Sequence, residues 1–220
     1  MMEIWIDTAD LNFFSENPVS AAAFGITTNP SILSANDTTP LETIAYLLKI
    51  TEHLCIQVIS NESEKIIQQA RYLQRLSTRI IVKIPATENG FLATKRLVKE
   101  GVPVLLTAIE NEYQALISCA LDVDYIAPYF HQIKESNTHW QSTLERIKNT
   151  TQNAKKTKMM LASLRSMEDV DIAMQMNSDA ITVPPSLYKK IMHTPQITTA
   201  ALQKFSIDWQ KIKDNLFERA

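Results

Sequence analysis

Residues 80–85 read Ile80-Ile81-Val82-Lys83-Ile84-Pro85, an apolar run interrupted by one ammonium. No polar residue alternates with the apolar ones, so the run reads as a strand buried on both faces, as in parallel sheets covered by helices. A lysine is expensive to bury there: an unpaired ammonium in apolar surroundings either gives up its proton or finds a partner. Lys83 therefore has two readings. A desolvated amine is the nucleophile that addition to a carbonyl needs. The plainer alternative is a lysine that snorkels from a strand end or pairs with a buried carboxylate.

Short runs of the same kind recur on both sides, at 3–7, 24–28, 54–59, 103–109, 124–130, 158–164 and 179–183. Between them, residues 40–51, 62–75, 91–99, 111–120, 138–150 and 167–176 have the apolar spacing of amphipathic helices. Eight strand signals alternating with helices in 220 residues predict one α/β domain over 1–220, a (β/α)8 TIM barrel. An open doubly wound sheet fits less well, because its first turn normally carries glycines and this chain has only Gly25, Gly90 and Gly101. After an apolar segment at 187–192, residues 198–217 place Leu202, Phe205, Trp209, Ile212 and Leu216 at helical spacing. This is an extra C-terminal amphipathic helix, expected to pack on its own barrel or on a neighbouring subunit.

Composition narrows the function classes. The chain is 45% apolar, with a formal net charge of −2 and no basic block. A small molecule is thus the expected partner, in preference to nucleic acid or a membrane surface. No basic leader precedes a long apolar run, and no apolar stretch reaches the ~20 residues that span a bilayer, so a cytoplasmic protein is expected. Three glycines leave no phosphate loop of the Walker or dinucleotide type, which counts against ATP and NAD. Cys55 and Cys119 lie in apolar segments, read as buried and inert, and His53, His131, His139 and His193 do not pair at metal-ligand spacing. Neither a disulfide nor a metal is expected.

In such a barrel, chemistry gathers at the carboxyl ends of the strands. The polar groups that close the apolar runs are Asp7, then Thr27, Thr28, Asn29 and Ser31, then Gln57, Lys83, Thr107, Tyr129 and Ser163. Seven consecutive runs thus aim a polar group at one rim. Asp7 can hold the charge of Lys83 and move protons during turnover, although a strand-end aspartate is also an ordinary helix cap. Gln57, Thr107 and Tyr129 can share one water or hydroxyl, and each is equally an ordinary buried polar residue.

These residues carry a resemblance. The stretches are Ile6-Asp7-Thr8-Ala9-Asp10, Gly25-Ile26-Thr27-Thr28-Asn29-Pro30-Ser31-Ile32, Val82-Lys83-Ile84-Pro85-Ala86-Thr87-Glu88-Asn89-Gly90, Ala127-Pro128-Tyr129, Ala162-Ser163 and Asp208-Trp209-Gln210. Over nearly the whole chain they resemble the small-subunit branch of the transaldolase family, on the side of its fructose-6-phosphate aldolases. Thr-Thr-Asn-Pro-Ser with Val-Lys-Ile-Pro at barrel-strand spacing makes the match specific. The resemblance implies that Lys83 forms a Schiff base with a ketone donor, that Asp7 assists proton transfer, that Asn29 and Ser163 bind donor hydroxyls, and that Thr27 shapes their pocket. It implies no cofactor, because the imine is itself the electron sink. It also implies sugar or sugar-phosphate substrates and a homo-oligomer, a decamer of two pentamers.

Two activities divide the family. Where transaldolases carry glutamate, asparagine, serine and phenylalanine, this chain has Gln57, Leu105, Ala127 and Tyr129, which follow the aldolase pattern. On that pattern Tyr129, Gln57 and Thr107 position a proton-relaying water, and Ala127 removes a hydroxyl that would bind the donor's C1 hydroxyl. Free dihydroxyacetone or hydroxyacetone is then the expected donor, joined to an aldehyde such as glyceraldehyde 3-phosphate. Transaldolase activity is the alternative. A non-catalytic sugar-binding barrel is the third, disfavoured because Asp7, Lys83 and Tyr129 are all present. One position departs from the family: its phosphate-gripping arginine is replaced by Gln132, and a neutral amide cannot substitute for a guanidinium fork. Arg165 matches a second phosphate-binding position, with a solvated loop charge as the equal alternative, and Lys134 lies nearby as a further contributor.

Overall fold

A computed structural model describes residues 2–212. Its strands are β1 Glu3–Asp7, β2 Gly25–Thr27, β3 Leu54–Gln57, β4 Ile80–Pro85, β5 Val104–Ile109, β6 Tyr125–Pro128, β7 Lys158–Leu161 and β8 Ala180–Val183. They pair in parallel in chain order, and β8 closes on β1. The chain therefore forms the (β/α)8 barrel that its apolar runs predict.

The ladder stops short of those runs at the mouth of the barrel. Tyr129 and Ala162 meet only as an isolated bridge, and Ser163, two residues past the end of β7, takes left-handed backbone with φ 62°. Tyr129 and Ser163 are thus loop residues just past β6 and β7, not strand ends.

The helices are α1 Leu11–Glu16, α2 Pro30–Ser34, α3 Pro40–Ile50, α4 Ser63–Leu76, α5 Glu88–Lys99, α6 Glu112–Ala120, α7 Phe130–Ser136, α8 Trp140–Gln152, α9 Met167–Gln175, α10 Pro185–Ile191 and α11 Gln196–Trp209. Helix α4 shows why the periodic segments fold as read: Ile66, Ile67, Ala70 and Leu73 are buried as one stripe, the face that packs on the barrel. Helix α5 begins three residues before its apolar signal because the Thr87 hydroxyl accepts from Gly90 N–H and caps the earlier turn. Contacts divide the chain into a unit that ends at Tyr188 and a second from Lys189. In the second, α11 stops at Trp209, so Ile212 lies past its end. Residues 213–217 of the expected terminal helix, Leu216 among them, lie outside the described residues. Among the described residues no helix is long and apolar enough to cross a membrane.

Inside the barrel, alternation sends every second residue of each strand to the axis. Trp5, Cys55, Ile81, Leu105, Tyr125, Met160 and Ala180 form the interior core. At the amino end Glu3 Oε2 accepts from Tyr125 OH at 2.9 Å and from Trp5 Nε1 at 3.3 Å, and Lys158 pairs with the same carboxylate. The Trp5 ring meets Tyr125 edge-on at 5.7 Å. This end is filled. Two residues further along the strands, on the same inner face, come Asp7, Thr27, Gln57, Lys83, Thr107, Ala127, Ala162 and Thr182.

Gly25 makes room for Trp5. A Cβ at residue 25 would lie 2.4 Å from Trp5 Cζ3 and 2.7 Å from the His53 carbonyl oxygen, and a backbone oxygen cannot rotate away. Gly25→Ala should therefore lower the stability by about 1–3 kcal/mol, the usual cost of overpacking a closed core, measured by chemical denaturation. An unchanged midpoint would show that β2 shifts freely and that the Trp5 plug does not fix it.

Candidate active site

The outward residues of β4 put its lysine inside. Ile80, Val82 and Ile84 are fully buried against the helices, so Lys83 points to the axis, where it is 5% exposed. Its Nζ donates to the Thr28 carbonyl at 3.2 Å. Gln57 stands beside it in register. The Gln57 Oε1 is buried with no hydrogen-bond partner among the described residues. An unpartnered buried acceptor costs about 1–3 kcal/mol.

Asp7 supplies the facing carboxylate. Its Oδ1 accepts from Thr27 Oγ1 at 2.7 Å, and Thr27 Oγ1 lies 2.5 Å from Thr182 Oγ1 on β8. Burial lifts the Asp7 carboxyl above its ordinary value, opposed by the Lys83 charge and by the Thr27 hydroxyl, which both favour the carboxylate. Across the mouth, Thr107 Oγ1 donates to Tyr129 OH at 3.2 Å. That contact depends on the backbone: the β5–β6 register shifts between Thr107 and Ile109, Ala108 takes φ 56°, and Tyr129 N–H donates to the Ile109 carbonyl. Ala108, one residue before the end of β5, and Ser163, just past β7, both take positive φ at the mouth. Asp122 and Asn177, the other two non-glycine residues of this kind among the described residues, follow helix ends, where such a conformation is routine. Backbone strain at the mouth re-aims the loops.

The structure thus gathers Asp7, Thr27, Gln57, Lys83 and Thr107 on the inner face, with Tyr129 bonded to Thr107 and Ala127 buried beside Thr107 in register. Asn29 also lies at this end, but its Oδ1 accepts from Ile32 N–H and caps α2. Its amide Nδ2 is the atom left for a ligand. The residues considered for a phosphate are more scattered. Gln132, in the first turn of α7, has a buried Oε1 with no partner among the described residues. Arg165 is exposed on the loop before α9, its N–H held by Asp169 Oδ2. Lys134 is committed elsewhere, 3.4 Å from Asp169 Oδ1 and above the rings of Phe130 and Trp140.

One polar residue of the inner face escapes the list of strand-end groups. Thr182 sits in Ala180-Ile181-Thr182-Val183, two residues past an inward alanine, as Lys83 sits two past Ile81. The cysteines stay out of the chemistry: burial pushes the Cys55 thiol up to about 12 and the Cys119 thiol up to about 11, so neither is a thiolate at neutral pH. Cys119 is only partly buried, contrary to its apolar context. Among the described residues no three His, Cys, Asp or Glu side chains are grouped so as to hold a metal ion.

The barrel is similar to that of an orotidine 5'-monophosphate decarboxylase from Metallosphaera sedula, with a TM-score of 0.61 at 11% identity over 86% of this chain and 91% of that one. A likeness at that identity is one of fold alone. In sequence the chain is 28% identical over 215 residues to a probable transaldolase from Nitrosopumilus maritimus, covering 96% of each. It is 29% identical over 217 residues to a probable transaldolase from Petrotoga mobilis, covering 98% of each. The model of the Transaldolase/Fructose-6-phosphate aldolase family matches residues 4–220, and the chain belongs to that family.

Proposed function

We propose that the protein is a Schiff-base aldolase that cleaves or forms fructose 6-phosphate-like ketoses from dihydroxyacetone or hydroxyacetone and an aldehyde. The observation that carries this reading is the Lys83 amine, 5% exposed on β4, on one inner face with the Asp7 carboxyl and the Thr107–Tyr129 hydroxyl pair. In the cleavage direction the free-base amine adds to the ketose carbonyl carbon, and loss of water gives an iminium ion. The Asp7 carboxylate takes the proton of the C4 hydroxyl. The C3–C4 electron pair moves onto the iminium to give an enamine, and the aldehyde leaves. Asp7 then returns that proton, through a water held by Tyr129 OH, Thr107 Oγ1 and Gln57 Oε1, to the enamine carbon, and hydrolysis of the resulting iminium releases the ketone and restores Lys83. Asn29 Nδ2 and Ser163 bind the donor hydroxyls, and Thr27 orients Asp7.

Transaldolase chemistry is the second reading, and the names of the relatives favour it. There the enamine attacks another sugar aldehyde instead of taking a proton. The two differ only in the fate of the enamine, and Tyr129 and Gln57 support protonation. We place the protein in the cytoplasm as a homo-oligomer. Its helix α11, with Ile197, Leu202, Phe205 and Ile207 all exposed, suits a helix that covers a neighbouring subunit.

Reduction with borohydride in the presence of dihydroxyacetone should add the reduced donor's mass to the peptide that contains Lys83. Lys83→Ala should lose about 10^3- to 10^6-fold in rate, as for residues that act as one catalytic unit. An adduct on another lysine, or an active Lys83→Ala enzyme, would refute the assignment. Tyr129→Phe should slow release of the free ketone by about 10^2-fold, the lower range for a positioned acid–base group, and raise transfer to erythrose 4-phosphate relative to release. If release proceeds at the parent rate in that variant, Tyr129 has no part in protonation. Gln132→Arg should lower KM for glyceraldehyde 3-phosphate by about 10- to 100-fold, the worth of a charge-assisted contact, and leave glyceraldehyde nearly unchanged. Equal effects on both aldehydes would place the phosphate elsewhere.

A further inference from the structure

The proton relations of Asp7 do not end at its neighbour. Thr27 has one hydroxyl proton, and at 2.7 Å that proton is donated to Asp7 Oδ1. The second contact of Thr27 Oγ1, with Thr182 Oγ1 at 2.5 Å, then has to run the other way, with Thr182 donating. The chain Thr182 to Thr27 to Asp7 joins β8, β2 and β1, and two registers hold it: Asp7 pairs with Thr27, and Trp5, two residues before Asp7, pairs with Thr182. Thr27 is 1% and Thr182 5% exposed, so water does not readily replace either partner.

We propose that Thr182 is a positioning residue for Asp7: by donating to Thr27 Oγ1 it commits the Thr27 proton to Asp7 Oδ1 and so holds the carboxylate form that proton transfer uses. This inference rests on the reading of Asp7 as the proton-transfer group. A hydroxyl that accepts one hydrogen bond donates its own more strongly, by about 10–30% per bond. A bond to the ionised form favours that form. Burial works against it, raising the carboxyl, so the hydroxyl chain and the Lys83 charge offset the same cost. The other groups facing Asp7 are Lys83 from β4 and the Cys55 thiol from β3, which is neutral over the working range.

The sign follows. Without the Thr182 donor the carboxylate is less favoured, so Asp7 titrates at higher pH and the acid limb of kcat/KM moves up with it. The test compares Thr182→Val, Thr182→Ala and Thr182→Ser in the full chain. Val keeps the bulk, Ala avoids any clash with Thr27, and Ser restores the hydroxyl. Two readouts apply: the pH profile of fructose 6-phosphate cleavage, and the titration of the Asp7 carboxyl by infrared difference spectroscopy against Asp7→Asn. Val and Ala should raise both midpoints by about 0.3–0.7 pH unit, a two- to five-fold change in proton affinity, and Ser should return them to the parent value. A fall in rate with both midpoints fixed, or a Ser variant that behaves like Ala, would overturn the proposal. If the limb survives in Asp7→Asn, the reading of Asp7 in catalysis fails, while the infrared titration still decides the role of Thr182.

Discussion

An amine that is 5% exposed inside a barrel must be met by other groups, and the carboxyl end of this fold is arranged around that requirement. Lys83 cannot turn outward, because the outer face of β4 is occupied by Ile80, Val82 and Ile84. A charge held inward needs an opposite charge and acceptors nearby. Asp7 is the first of these and the Thr28 carbonyl the second. Asp7 is itself strained by burial, so it draws in Thr27, which draws in Thr182. One buried amine thus fixes the residue type on strands far apart in sequence but adjacent in the closed sheet.

The two ends of the barrel interior divide stability from chemistry. At the amino end the Glu3 carboxylate is satisfied by Tyr125, Trp5 and Lys158, and the Trp5 ring is packed so closely that β2 must carry a glycine. At the carboxyl end satisfaction is incomplete: Gln57 Oε1 and Gln132 Oε1 have no partner among the described residues. Two non-glycine residues there adopt left-handed backbone. Unpaired buried acceptors and left-handed backbone thus collect at the carboxyl end, while the amino end is closely packed and its buried carboxylate satisfied.

Most of the barrel was legible because a strand buried on both faces is an unbroken apolar run, and β4 is the plainest of them. Lys83, Asp7, Thr107 and Gln57 were legible for the complementary reason, as polar residues that break or close such runs. What escaped follows other physics. Helices α1, α2 and α7 are too short to show an apolar period; α1 and α2 are set by caps, at Asp10 and Asn29. Tyr129 and Ser163 read as strand ends because the sequence holds no sign of the bulge at Ala108 or the turn at Ser163. In the sequence Lys134 reads as available for a phosphate because Asp169, its partner, lies 35 residues on. Thr182 was hidden by its ordinariness: a threonine in a strand is unremarked until the closed sheet sets it against Thr27, 155 residues away.

A barrel of similar shape carries orotidine 5'-monophosphate decarboxylase at 11% identity, so the architecture leaves the chemistry open and the mouth decides it. Within the mouth, residue identity is only part of the decision. On the proposed chemistry, whether an enamine on Lys83 is protonated or attacks a second aldehyde depends on how soon a proton arrives, and so on where the Tyr129 hydroxyl is held. Its place is fixed by the Thr107 hydroxyl and by the backbone bond to Ile109, both of which need the register shift at Ala108. A tyrosine on an unshifted strand would carry the same hydroxyl to a different spot, where a 1 Å error is enough to lose a positioned proton donor. Under that proposal the choice between release and transfer rests on the backbone of β5 together with the side chain of Tyr129.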